Sequence, residues 1–148
     1  MVTSSAAETT LIMKRSFAAP RQKVFDAWTN PEFLKQWFAA GDEYFTPLAE
    51  VDLRVGGTFR VAMEHKEKKI RHTAFGTYRE VKAPERIVFT WAWEENKEEE
   101  TLITVQFHEV GQTTEMIFKH EAFVTPESRN QHEHGWTACF ARLAESIA

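Results

Sequence analysis

Residues 86–93 read RIVFTWAW. Ile87, Phe89, Trp91 and Trp93 fall at every second position with Val88, Thr90 and Ala92 between them, which is the alternation of a strand with two distinct faces. Large rings of this kind bury on the order of 150 to 250 Å² each. The bulky face therefore needs an apolar partner, and the C-terminal stretch supplies one. Thr125-Pro126-Glu127 carries the N-cap, the N1 proline and the first-turn acid of a helix start. Trp136, Phe140, Leu143 and Ile147 then follow at i, i+4, i+7 and i+11, one stripe on a helix that reaches the C-terminus.

The rest of the chain reads outward from that pairing. The run TLIMKRSF from Thr10 is a first strand, and Met1 to Thr9 is a flexible tail. Pro20 suits the first turn of a helix carrying Val24, Phe25 and Trp28. Asn30-Pro31 opens a second helix carrying Phe33, Leu34, Trp37 and Phe38, closed by Gly41. After Pro47 the period becomes 2: Val51, Leu53 and Val55 run up to the turn Gly56-Gly57, and Phe59, Val61 and Met63 run beyond it. His65 to Lys69 is a charged hairpin tip. Ile70 to Val81 is a strand interrupted by Gly76, where a bulge would leave the facing of His72 and Tyr78 open. Ala83-Pro84 turns the chain into RIVFTWAW. Downstream, the five glutamates between Glu94 and Glu100 form a solvated tip. Thr101, Ile103, Val105 and Phe107 share one face of the next strand, and Thr114, Met116, Phe118 and His120 share one face of the last. The order is strand, two short helices, a meander of about six strands, then the long helix. An α+β fold with one domain over residues 10–148 is expected.

Composition narrows the function. The 148 residues are 43% hydrophobic and 27% charged, as in an ordinary folded domain, and the net charge of −4 gives no basic field for nucleic acid. The single cysteine, Cys139, excludes an intrachain disulfide and a multi-cysteine zinc cage. No apolar stretch approaches the ~18 residues of a membrane helix, and MVTSSAAETT is not a secretory signal, so a cytoplasmic protein without membrane insertion is expected. No phosphate or dinucleotide fingerprint occurs, and no cofactor is expected.

Four stretches carry a resemblance: KRSFAAPRQKVFDAWTNPEFLKQWF, DLRVGGTFR, FGTYREVKAPERIVFTWAW and HGWTACFARLAESIA. In order and spacing they resemble the START-like (SRPBCC) superfamily, and within it the branch named for the C-terminal domain of activators of the heat-shock-protein-90 ATPase. The resemblance implies a helix-grip fold, a curved antiparallel sheet of about six or seven strands wrapped around a long C-terminal helix. It also implies an apolar cavity between sheet and helix. Co-chaperone members carry a further N-terminal domain, whereas only Met1 to Thr9 precedes the first strand here.

The aromatic excess, Phe 12 and Trp 5 against Tyr 2, supplies candidate cavity walls. Trp37, Phe38, Phe59, Met63, Phe89, Trp91, Trp93, Phe107, Phe118, Trp136 and Phe140 converge between sheet and last helix, either as plain core or as the lining of a small-molecule site. His120, on the face of Phe118, and His132, one turn before Trp136, are candidate polar handles at the cavity end and mouth. His134 is expected to point elsewhere. The HEH spacing of His132 to His134 is not the HExxH of a zinc helix, so no metal site is expected. Cys139 is expected to be half buried with no cation to activate it.

Three functions remain open. The first is binding of a hydrophobic or amphipathic, lipid-like or aromatic small molecule. The second is a cyclase or aromatase chemistry in which a pocket histidine moves protons. The third is a chaperone-interacting domain whose working surface lies outside the pocket.

Overall fold

The computed structural model describes residues 8–147. Strand β1 (Leu11–Phe17) leads into α1 (Arg21–Thr29) and α2 (Pro31–Trp37). Six strands follow: β2 (Tyr44–Val51), β3 (Thr58–His65), β4 (Arg71–Lys82), β5 (Arg86–Trp93), β6 (Thr101–Val110) and β7 (Thr113–Glu121). The last element is α3 (Pro126–Ser146). The strands form one curved antiparallel sheet in the order β1-β7-β6-β5-β4-β3-β2, gripping α3 as a helix-grip α+β fold.

Local chemistry accounts for the helix starts. The Asn30 side chain accepts from the Glu32 N–H with Pro31 in the next position, and the Thr125 hydroxyl accepts from the Ser128 N–H ahead of Pro126. Each cap satisfies an N–H that a first turn would otherwise leave without a partner. Pro20 stands one place earlier than expected, at the N-cap of α1.

Three local expectations are corrected. The helix α2 ends at Trp37, well before Gly41, and the Phe38 N–H closes on the Leu34 carbonyl. The strand before Gly56-Gly57 stops at Val51. Leu53 and Val55 are exposed, because the segment folds out as a turn: the Gly57 N–H donates to the Arg54 carbonyl and Gly56 sits at φ 86. Gly76 marks no bulge. The β4–β5 register holds from Phe75 to Tyr78 and shifts between Tyr78 and Glu80, so Tyr78 faces inward. Gly76 is instead a site of close backbone approach, where a Cβ would stand 1.8 Å from the Thr90 carbonyl oxygen. Of the expected tail, residues 1–7 lie outside the described residues, and the Thr9 carbonyl accepts from the Phe123 N–H.

The two short helices occupy much of the space between sheet and α3. Trp28 of α1 lies 4.9 Å from Trp37, 5.9 Å from Phe118 and Trp136, and 6.0 Å from Phe140, centroid to centroid. Its N–H points at the Met116 sulfur, while the Trp37 N–H donates to the Ala27 carbonyl. Both indoles are thus fixed by polar tips as well as by packing. A sheet this wide cannot be covered by one helix about 10 Å across, and the α1–α2 elbow fills the difference.

Candidate functional site

An open cleft lies at the side of that filled interior. It lies between the N-terminal half of α3, the loop after α2 and the ends of β3 and β5, and measures about 250 Å³. Its apolar walls are Phe38, Met63, Trp91, Trp93 and Trp136. Ala40, Gln131, His132, His134, Gly135 and Cys139 complete the lining. The alternation of β5 places Trp91 and Trp93 on one face, 5.5 Å apart and nearly perpendicular. Trp136 meets Trp91 at 5.2 Å from the helix side, and Phe38 closes on both at 5.9 and 6.0 Å.

The expected lining divides in three. Phe38, Met63, Trp91, Trp93, His132 and Trp136 are at the cleft. Trp37, Phe59 and Phe89, with Tyr78, border a separate void of about 30 Å³ behind Trp91. Phe107, Phe118 and Phe140 belong to the solid core. Ala40, Gln131, His134, Gly135 and Cys139 were missed, because the cleft lies beside the helix stripe and not beneath it. A glycine inside a long helical pattern was the one available signal.

His120 is not at the cavity end. It is 0% exposed, sealed behind Trp136, whose indole N–H donates to its Nδ1 at 3.2 Å. The Thr101 hydroxyl donates to the Trp91 carbonyl, so its oxygen is left to accept from His120 Nε2 at 2.7 Å. Both ring nitrogens are engaged in the neutral form. Burial, and secondarily the nearby His132, hold the His120 imidazole well below its ordinary pKa.

His132 is also doubly engaged. Its Nε2 accepts from the Trp93 N–H at 3.0 Å, which leaves Nδ1–H to donate to the Ser128 carbonyl at 2.8 Å. Burial lowers its pKa, against a smaller raising effect of the Ser128 carbonyl and the Glu99 charge. His134, contrary to expectation, reaches the mouth of the cleft and is exposed there. Cys139 is buried rather than half buried. Its thiol donates to the Ala39 carbonyl, and burial pushes its pKa up to about 12 despite the charge of Arg142. The Trp91 N–H, also buried, has no acceptor among the described residues.

Among the described residues no three His, Cys, Asp or Glu side chains gather around a point where an ion could be held. No helix of the described residues is long and apolar enough to cross a membrane.

Comparison with known proteins bears on the fold and the family. A protein of Chromobacterium violaceum superposes with a TM-score of 0.84 at 21% identity, over 94% of this chain and 96% of that one. A protein of Nitrosomonas europaea gives 0.81 at 25%, over 98% and 97%. The AHSA1 protein of Silicibacter pomeroyi gives 0.81 at 23%, over 93% and 96%. No curated protein matches the sequence. Residues 18–148 match the family described as Activator of Hsp90 ATPase homolog 1-like protein, and the chain belongs to that family.

Proposed function

We propose that residues 10–148 form one binding domain that holds a small apolar or amphipathic molecule in the cleft beside α3. The observation that carries this reading is the cleft itself, bordered by three indoles, a phenyl ring and a thioether, of which Trp93 and Met63 are only half-buried. Apolar walls with a few convergent polar groups are the general form of a small-molecule site.

An acid-base enzyme finds less support. Such chemistry needs a group that can exchange a proton with the substrate; both nitrogens of His120 and of His132 are already committed within the protein, which leaves only His134 at the mouth of the cleft.

The test is saturable binding of N-phenyl-1-naphthylamine, an uncharged fluorescent probe, to the native protein. Binding should quench tryptophan emission and raise the thermal midpoint by mass action. Met63→Trp, which narrows the cleft, should weaken binding while the protein stays folded. If the probe binds only near the melting transition, the ligand reading is wrong and the working surface is an outer, partner-binding one.

A further inference from the structure

Depth, charge and backbone each limit what the cleft can hold. Its inner end is closed by Trp91 and Trp136, and beyond them lies only the void of about 30 Å³. Further inward Phe118 stands 4.9 Å from Trp136, and Trp28 stands 5.9 Å from it. A long acyl chain therefore has no tunnel to enter. The cleft volume of about 250 Å³ also lies at the small end of ligand sites.

Among the described residues no Lys, Arg, Asp or Glu lines the cleft. The charges that reach its lining are Arg142, which acts on Cys139 but is paired with Asp42, and Glu99 of the glutamate-rich loop after Trp93, which acts on His132. A cation would gain from the indole faces, but it would give up its water with no lining carboxylate to pair with. The free polar groups are at the mouth. The side chains of His134 and Gln131, three residues apart on α3, hold no hydrogen bond among the described residues.

Gly135 then needs an explanation. It lies mid-helix in α3, where glycine is the least favourable residue apart from proline. Packing does not require it, since a Cβ built there meets nothing within 4 Å. Gly135 also lines the cleft.

We infer that the ligand is an uncharged, flat molecule of one or two aromatic rings, seated against Trp91, Trp93 and Trp136 with its polar substituent toward His134 and Gln131, and that Gly135 is the specificity-determining residue that leaves room for it. This rests on the reading of the cleft as a ligand site. The indole faces offer ring-on-ring contact, and the absent side chain lets the ligand lie close to the helix backbone.

Isothermal titration of the full chain at neutral pH tests this with 2-naphthol, 1-decanol, decanoate and 1-naphthylmethylammonium. The expected result is that 2-naphthol binds at least about tenfold more tightly than the other three. Gly135→Leu should weaken 2-naphthol by at least about tenfold with an unchanged or higher thermal midpoint, and Gly135→Ala, a smaller intrusion, should weaken it less. Equal or tighter binding of the alcohol, the carboxylate or the ammonium overturns the inference and leaves the cleft a site for that other class. Unchanged affinity in both Gly135 variants overturns the role of Gly135. If none of the four compounds binds and the fluorescent probe does not bind either, the ligand-site reading itself falls.

Discussion

The indole N–H of Trp93 donates a 3.0 Å hydrogen bond to Nε2 of His132, joining β5 to α3 at the cleft. The bond requires an unprotonated Nε2. Since Nδ1–H is already given to the Ser128 carbonyl, a second proton on the ring would set two N–H groups against each other. The neighbouring His120, 5.2 Å away between ring centres, is held by its own indole from Trp136 in the same neutral state. Two histidine–tryptophan pairs therefore couple sheet and helix, and both depend on imidazoles without charge.

Stability should fall as the solution is acidified. In the unfolded chain both imidazoles titrate near 6.5, and in the folded chain both titrate lower. Above that unfolded value neither state is protonated and stability is full. As pH drops below it, the unfolded chain takes up protons that the native state refuses, until the lower folded values are reached. The loss approaches ~1.4 kcal/mol per pH unit for each histidine. Urea denaturation from neutral pH to about pH 5 should show this slope, and His132→Phe should make it shallower. A midpoint indifferent to pH in that window would refute it.

Trp136→Ala should destabilise the protein by about 3 to 5 kcal/mol, as for other buried rings. The indole is 4% exposed, packs on Trp91, Phe118 and Phe140, and supplies the donor to His120 Nδ1. Its removal leaves a cavity and an unpaired acceptor together. A denaturation midpoint within error of the wild type would place Trp136 outside the core.

Gly76→Ala should be worse than its size implies. The new methyl would meet the Thr90 carbonyl oxygen at 1.8 Å and the Phe59 ring at 2.7 Å. The first neighbour is backbone in the paired strand and cannot turn aside. The loss should exceed the ~1–3 kcal/mol typical of overpacked cores, read as a large drop in denaturant midpoint or in soluble yield. Unchanged stability would contradict the β4–β5 packing described above.

Cys139 should be chemically silent in the native state. With its thiol pushed up to about 12 by burial, almost none of it is thiolate at neutral pH, and the thiolate is the reactive form. An aromatic disulfide reagent should label no thiol until denaturant is added, and then one per chain. Fast labelling without denaturant would show that the thiol is reachable through the cleft it lines and is not sealed as its burial implies.

Element type was legible because strand and helix periods are local. Ile87, Phe89, Trp91 and Trp93 needed only their own spacing to be placed, and the caps at Asn30 and Thr125 needed only the next residue or two. The cleft was not legible, because its size depends on what fills the rest of the gap. Trp28 and Trp37 read as ordinary helix residues, yet their rings occupy much of the space that the width of the sheet alone would leave open. His120 illustrates the same limit. Alternation gave its facing correctly, but its partners Thr101 and Trp136 come from another strand and from the helix. Leu53 and Val55 misled for the opposite reason: their alternation was real, but the pairing of Gly56 and Gly57 with Tyr78 turns them out of the sheet.

The two ends of α3 answer to different kinds of selection. Phe140, Leu143 and Ile147 are at most 7% exposed, and substitutions there are screened by folding itself. Gln131, His134 and Gly135 sit at the cleft and bury little against the sheet, so folding constrains them less. If the proposed ligand occupies the cleft, lineages descended from such a chain would be free to exchange one cargo for another by altering a single helical turn, while inheriting the sheet and the far end of the helix unchanged.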